Sequence, residues 1–104
     1  MSILLIHQYV VLNAVTEPPR EDKTYCRESS YSLTVGDNQT VCCPVSGYPP
    51  PFVTWKKNGM ELHQESSGLE IYNLVNQDFG NYTCTATNFE TSVSVDIFIK
   101  EKGN

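Results

Sequence analysis

Asp78-Phe79-Gly80-Asn81-Tyr82-Thr83-Cys84 is the stretch whose reading decides the fold. Tyr82, Cys84 and Ala86 alternate with Thr83, Thr85 and Thr87, so one face is apolar and the other hydroxylated. Alternation with a period of two marks a half-buried strand. Gly80 allows a tight backbone corner immediately ahead of it. Upstream stand the adjacent pair Cys42-Cys43 and the single tryptophan, Trp55. Trp55 follows Cys43 by 12 residues, and Cys84 follows Cys43 by 41.

The same alternation recurs on both sides of this anchor. Tyr31, Leu33 and Val35 share one face, with Ser32 and Thr34 on the other. Val41, Cys43 and Val45 alternate with Thr40, Cys42 and Pro44, which predicts that Cys42 and Pro44 face outward. Val53 and Trp55 point in; Thr54 and Lys56 point out. Leu69, Ile71 and Leu74 give another inward set, and Val93, Val95, Ile97 and Ile99 the longest one, with Phe98 outward. Lys23 to Glu28 reads as a first edge strand, and Met60 to Ser67 as one short and one rudimentary strand. Turn residues separate these runs at Gly36-Asp37-Asn38, Gly47 to Pro51, Asn58-Gly59 and Asn88-Phe89-Glu90. No helical period appears, so the chain is expected to be all-β.

The D-x-G-x-Y-x-C corner, combined with the Cys43, Trp55 and Cys84 spacing, closely resembles the immunoglobulin fold, in its I-set or C2-type form. The resemblance covers roughly residues 20 to 100 and implies a two-sheet Greek-key sandwich. It also implies a disulfide between Cys43 and Cys84, because Cys43 shares the valine face. Closing a loop of that length stabilises by roughly 4 kcal/mol on the chain-entropy model. Trp55 is then expected to pack on the bridge. The Tyr82 hydroxyl is expected to bond backbone near Gln77 or Asp78. Asp78 matches an acidic residue that many relatives pair with an arginine. His63 to Ser67, the matching stretch, holds no arginine or lysine, so His63 or backbone amides are left as partners. Residues 1–19 are expected as a pre-domain apolar segment and linker, 20–100 as the domain, and 101–104 as a polar tail.

Four cysteines in 104 residues suit an oxidising compartment. Cys26 and Cys42 are left over from the core pair. Three states are open to them: a bridge to each other, free thiols, or a bridge to another chain. Asn38-Gln39-Thr40 and Asn81-Tyr82-Thr83 are sequons for N-glycosylation. Ile3 to Val15 is apolar but interrupted by His7, Gln8 and Asn13, and it lacks a basic start. It reads either as a secretory signal or as an ordered or flexible segment ahead of the domain. Glu17-Pro18-Pro19-Arg20 reads as linker or turn.

A net charge of −5, with Lys and Arg scattered, excludes the clustered basic face that nucleic acid requires. Lys56-Lys57 reads as ordinary solvated charge. No run approaches the ~18 apolar residues of a membrane span. None of the common catalytic motifs is present, and His7 and His63 lack metal-ligand spacing. No enzyme activity, metal or cofactor is expected. The resemblance implies protein recognition, homophilic or heterophilic, by an extracellular part of a cell-surface receptor or adhesion protein. The rival reading is a structural intracellular domain of a filament-associated, muscle-type protein. Tyr48, Phe52, Phe89 and Phe98 are the candidate contacts, each against the plainer reading that it covers neighbouring side chains. Tyr48 and Phe89 are expected at one end of the sandwich.

Overall fold

A computed structural model describes residues 15–89 and 91–103. The apolar opening stretch through residue 14 lies outside the described residues. Among the described residues nine strands follow in order: β1 (Glu17–Glu21), β2 (Tyr31–Leu33), β3 (Gln39–Cys42), β4 (Val45–Tyr48), β5 (Phe52–Lys57), β6 (Met60–Glu61), β7 (Gly68–Ile71), β8 (Gly80–Asn88) and β9 (Thr91–Glu101). A single 3-10 turn, Asn76–Asp78, precedes β8.

One layer is a five-stranded sheet in the order β2-β9-β8-β5-β6. Its strands are antiparallel except β2, which runs parallel to β9. The other layer is built from two pairs, β1 with β4 and β3 with β7. The two pairs are separate because Pro44 has no N–H to extend a ladder. Val45 N instead donates to Cys43 O at 2.9 Å, closing a three-residue turn around Pro44. Pro44 is fully buried, against the outward position its alternation predicts. The kink rotates it inward while its carbonyl accepts from Asp22 N at 2.7 Å.

The first strand lies earlier than the sequence suggests. Glu17–Glu21, whose first four residues are expected as linker or turn, pairs with β4, and Pro19 is buried. An edge strand tolerates proline, since one side of it needs no donors. Gly47 permits the close approach: a Cβ there would meet Pro19 Cα at 3.1 Å. Lys23 to Glu28 is turn and bend rather than strand. Asp22 causes this. Its carboxylate accepts from Thr24 N at 3.1 Å and from the Thr24 hydroxyl, capturing the backbone in a local turn.

Three further expectations shift. Val35 is 52% exposed, because Asp37 turns the chain by bonding Thr34 at both its N–H and its carbonyl. Residues 62–67 hold no strand. There, the Gln64 carboxamide both donates to Glu70 O and accepts from Glu70 N, each at 3.0 Å, serving one residue as a neighbouring strand would. Glu101 lies within β9, paired with Leu33, and Lys102 N donates to Leu33 O.

The core lies between the layers. Val41, Cys43, Leu69, Ile71 and Leu74 from one side meet Val53, Trp55, Cys84, Ala86 and Ile97 from the other, all buried. Burying a side chain of the Val, Leu or Ile class is worth about 1.5–3 kcal/mol.

Candidate recognition surface

Trp55 sits directly opposite Cys84 in the β5–β8 ladder, and both are fully buried. The Trp55 indole N–H donates to Ser66 O at 2.7 Å, holding the strandless segment to the core. Cys43 is bonded to Cys84, with 6.1 Å between Cα atoms. Cys26 is bonded to Cys42, with 6.0 Å between Cα atoms, tying the bent segment after β1 to β3. Adjacent cysteines therefore serve different bridges, one through the core and one outside it. Tyr31 supports the outer bridge: its hydroxyl accepts from Cys42 N at 2.9 Å. Burial raises the Tyr31 phenol above its ordinary range.

At the corner before β8, the Tyr82 hydroxyl donates to Asp78 O. Burial, followed by the nearby Asp78 charge, pushes the Tyr82 phenol up to about 12. The Asp78 carboxylate accepts from Val75 N at 2.8 Å and so caps the 3-10 turn with a backbone donor, where an arginine was lacking. Asp78 is half-buried rather than in the core. Lys57 is more than a solvated charge. Its ammonium donates to Gln77 O and lies 5.6 Å from the centroid of the Tyr82 ring. A single salt bridge occurs among the described residues, Arg20 to Asp22 at 3.8 Å. Hydrogen bonds from Thr24 and Ser46 hold the Asp22 carboxyl below its usual range, and Arg20 adds to this.

The opposite end carries exposed aromatics. Tyr48 closes β4, Phe52 opens β5, and Phe89 follows the last residue of β8. Phe52 pairs with Thr87, only two residues before Phe89. The three side chains are 52%, 55% and 70% exposed. Asn88 organises this end. It is buried, and its Nδ2 donates to Glu17 O at 2.9 Å and Pro49 O at 3.1 Å. By turn chemistry alone, Asn88 is expected in the turn. Its phase of two from Tyr82, Cys84 and Ala86 was the signal that it points inward. Asn88 pairs with Thr91, so Phe89 lies directly beyond the last pair of the β8–β9 ladder. Phe98 is not part of this end; it pairs with Asn81 at the far end of the same ladder.

Between the two ends, the outward face of β8 and β9 is a ladder of hydroxyl contacts. Thr83 donates to Asp96 at 2.8 Å, Thr85 meets Ser94 at 2.9 Å, and Thr87 meets Ser92 at 2.7 Å. No group of three His, Cys, Asp or Glu side chains converges as a metal site among the described residues. Asn38 and Asn81 are both exposed.

A family model described as the immunoglobulin domain matches residues 23–88. The chain belongs to the immunoglobulin superfamily. This immunoglobulin domain is 32% identical over 104 residues to fibroblast growth factor receptor-like 1 of Gallus gallus, covering 92% of the chain and 21% of that protein. It is 39% identical over 79 residues to protein sidekick-1 of Mus musculus, covering 65% of the chain and 4% of that protein. The domain thus spans about a fifth or less of these two relatives. Among solved structures it is similar to sidekick-1 immunoglobulin domains 1–5, at 31% identity and a TM-score of 0.70, covering 86% of the chain and 21% of that one. A complex of Dpr2 with DIP-Theta contains a chain that is 26% identical with a TM-score of 0.71, covering 84% of this chain and 33% of that one. An I-band fragment of titin is 32% identical with a TM-score of 0.66, covering 85% of the chain and 34% of that fragment. The immunoglobulin domain thus has relatives among cell-surface receptor and adhesion proteins. Its two disulfides fit an oxidising compartment.

Proposed function

We propose that this immunoglobulin domain is an extracellular protein-recognition module, not an enzyme, within a cell-surface receptor or adhesion protein. The observation that carries the reading is the grouping of Tyr48, Phe52 and Phe89 on one exposed end, where the buried Asn88 bonds β1 to the turn after β4. Aromatic rings on a preorganised scaffold supply contact area at low entropic cost. Exposed apolar groups rimmed by polar residues suit a protein interface. The similarity to sidekick-1 and to a complex between two immunoglobulin-domain proteins supports a protein partner. The exposed Asn38 and Asn81 sequons support passage through a secretory compartment.

The second reading, a link in an intracellular filament, draws on the likeness to titin. It requires cysteines that remain reduced, whereas all four here are paired. Intact mass of the protein isolated from its own tissue, with and without reductant, separates the two. A gain of four hydrogens on reduction supports the extracellular reading, and no gain supports the filament. Binding of the multimerised domain to cell surfaces of that tissue tests the aromatic end, with Tyr48→Asp and Phe89→Ala as variants. Binding unchanged in both variants removes that end as the interface.

A further inference from the structure

Asn81 opens a sequon and lies directly opposite Phe98 in the β8–β9 ladder. Both residues face away from the core, since Tyr82, Ile97 and Ile99 beside them are buried while Asn81 and Phe98 are exposed. Directly opposed side chains in an antiparallel pair have Cβ atoms about 4.5–5.5 Å apart. Along its own strand, Phe98 is flanked on that face by the exposed Asp96 and Lys100, and diagonally across stands Thr83. An aromatic ring 55% exposed among polar neighbours therefore stands beside an amide nitrogen that a glycosyltransferase can modify.

We infer that Asn81 carries an N-linked glycan whose first N-acetylglucosamine packs flat on the Phe98 ring. The Asn81 Nδ2 attacks the anomeric carbon of a polyprenyl-pyrophosphate-linked oligosaccharide. A C–N bond forms, the C–O bond to pyrophosphate breaks, and the polyprenyl pyrophosphate leaves together with one Nδ2 proton. The weakly positive C–H hydrogens of the sugar face then meet the negative face of the ring. In the folded domain, the Thr83 hydroxyl is engaged with Asp96 at 2.8 Å. Transfer therefore precedes closure of the β8–β9 hairpin, because the sequon hydroxyl must be free for the transferase. The folded domain then accommodates the glycan, because Asn81 faces solvent.

This assignment removes Phe98 from the partner-facing aromatics. Asn38 lies at the same end, where its Oδ1 accepts from Asn73 N at 2.8 Å. An N-glycan leaves that oxygen in place, so the second sequon is compatible with the same bond. Sugars at both sites cover the corner end and leave Tyr48, Phe52 and Phe89 as the bare one.

The inference rests on the extracellular reading, and the test keeps the two apart. The domain is secreted from a eukaryotic host behind a cleavable signal, as the parent, as Thr40→Val, and as Thr40→Val combined with Phe98→Ala. Thr40→Val abolishes the other sequon while sparing the Asn38 bond. Peptide mapping after amidase treatment is expected to show aspartate at position 81 in the parent and in Thr40→Val. Removing the glycan is expected to lower Tm by about 4 °C in Thr40→Val, and by less than half of that when Phe98→Ala is added. A bare Asn81 beside a modified Asn38 overturns this inference and leaves the extracellular reading standing. Both sites bare overturns this inference and counts against the extracellular reading as well. A Tm shift of equal size with and without the Phe98 ring overturns the packing.

Discussion

Asn88 and Glu17 lie 71 residues apart in the chain, yet the buried Asn88 Nδ2 donates to the Glu17 carbonyl at 2.9 Å. The same nitrogen donates to Pro49 O at 3.1 Å. One side chain thus joins the first strand, the turn after β4 and the end of β8. Every exposed aromatic at that end grows from one of these joined pieces or lies next to it.

Replacing Asn88 with alanine leaves two carbonyls without their donor. Such losses cost about 1–3 kcal/mol when the groups remain dry. Asn88→Ala is expected to lower the free energy of unfolding by that amount, read as a lower urea midpoint at constant slope, and to weaken partner binding although Asn88 is itself buried. An unchanged midpoint would show that water replaces the amide.

The two disulfides should be unequal. The outer bridge spans 16 residues and the core bridge 41. On the chain-entropy model these correspond to about 3 and 4 kcal/mol. The core pair also carries the packing of Trp55. Cys26→Ser with Cys42→Ser is therefore expected to leave a folded domain that melts lower, with Trp55 fluorescence still that of a buried ring. Cys43→Ala with Cys84→Ala is expected to cost more. An equal or larger loss from the outer pair would contradict this ranking.

Tyr82 gives the domain an alkaline limit. Its phenol is pushed up to about 12 in the fold, against an ordinary value of about 10 in the unfolded chain. Below pH 10 both states hold the proton and its contribution is complete. From about pH 10 to 12 the unfolded state alone releases it, so stability falls as pH rises. Tyr82→Phe is expected to lower stability at neutral pH by about 1–2 kcal/mol, through loss of the bond to Asp78 O. It should also flatten the fall above pH 10. A parent-like alkaline slope in Tyr82→Phe would assign the limit to another group, with Tyr31 the next to examine, since its phenol is raised as well.

The aromatic end should separate binding from folding. Tyr48 and Phe89 are 52% and 70% exposed. Tyr48→Asp and Phe89→Ala are expected to shift stability by no more than about 0.5 kcal/mol. Both should weaken cell-surface binding severalfold or more. A melting loss that tracks the binding loss would mean that these rings support the fold rather than meet a partner.

Local pattern carried much of the architecture. Alternation along Tyr82, Cys84 and Ala86, and along Val95, Ile97 and Ile99, placed inward faces that are buried in the structure. The Asn58-Gly59 pair forms a two-residue turn with both φ angles positive, at 50° and 82°. Errors arose where a side chain captured backbone. Asp22 turned an expected strand into a bend, Asp37 swung Val35 into solvent, and Gln64 stood in for a strand. Prolines misled in a related way: Pro18 and Pro19 sit in an edge strand that needs no donors on its free side.

By itself, then, the sequence determined the all-β class, the inward faces and the corner ahead of Tyr82, because strand period and turn chemistry are properties of neighbouring residues. Only the tertiary structure decided that Cys26 meets Cys42, that Pro44 is buried, that Asn88 joins three segments and that Asn81 faces Phe98. These are contacts between positions 16 to 71 residues apart for the bonded pairs. They follow from how the strands are paired and stacked, which no single stretch encodes.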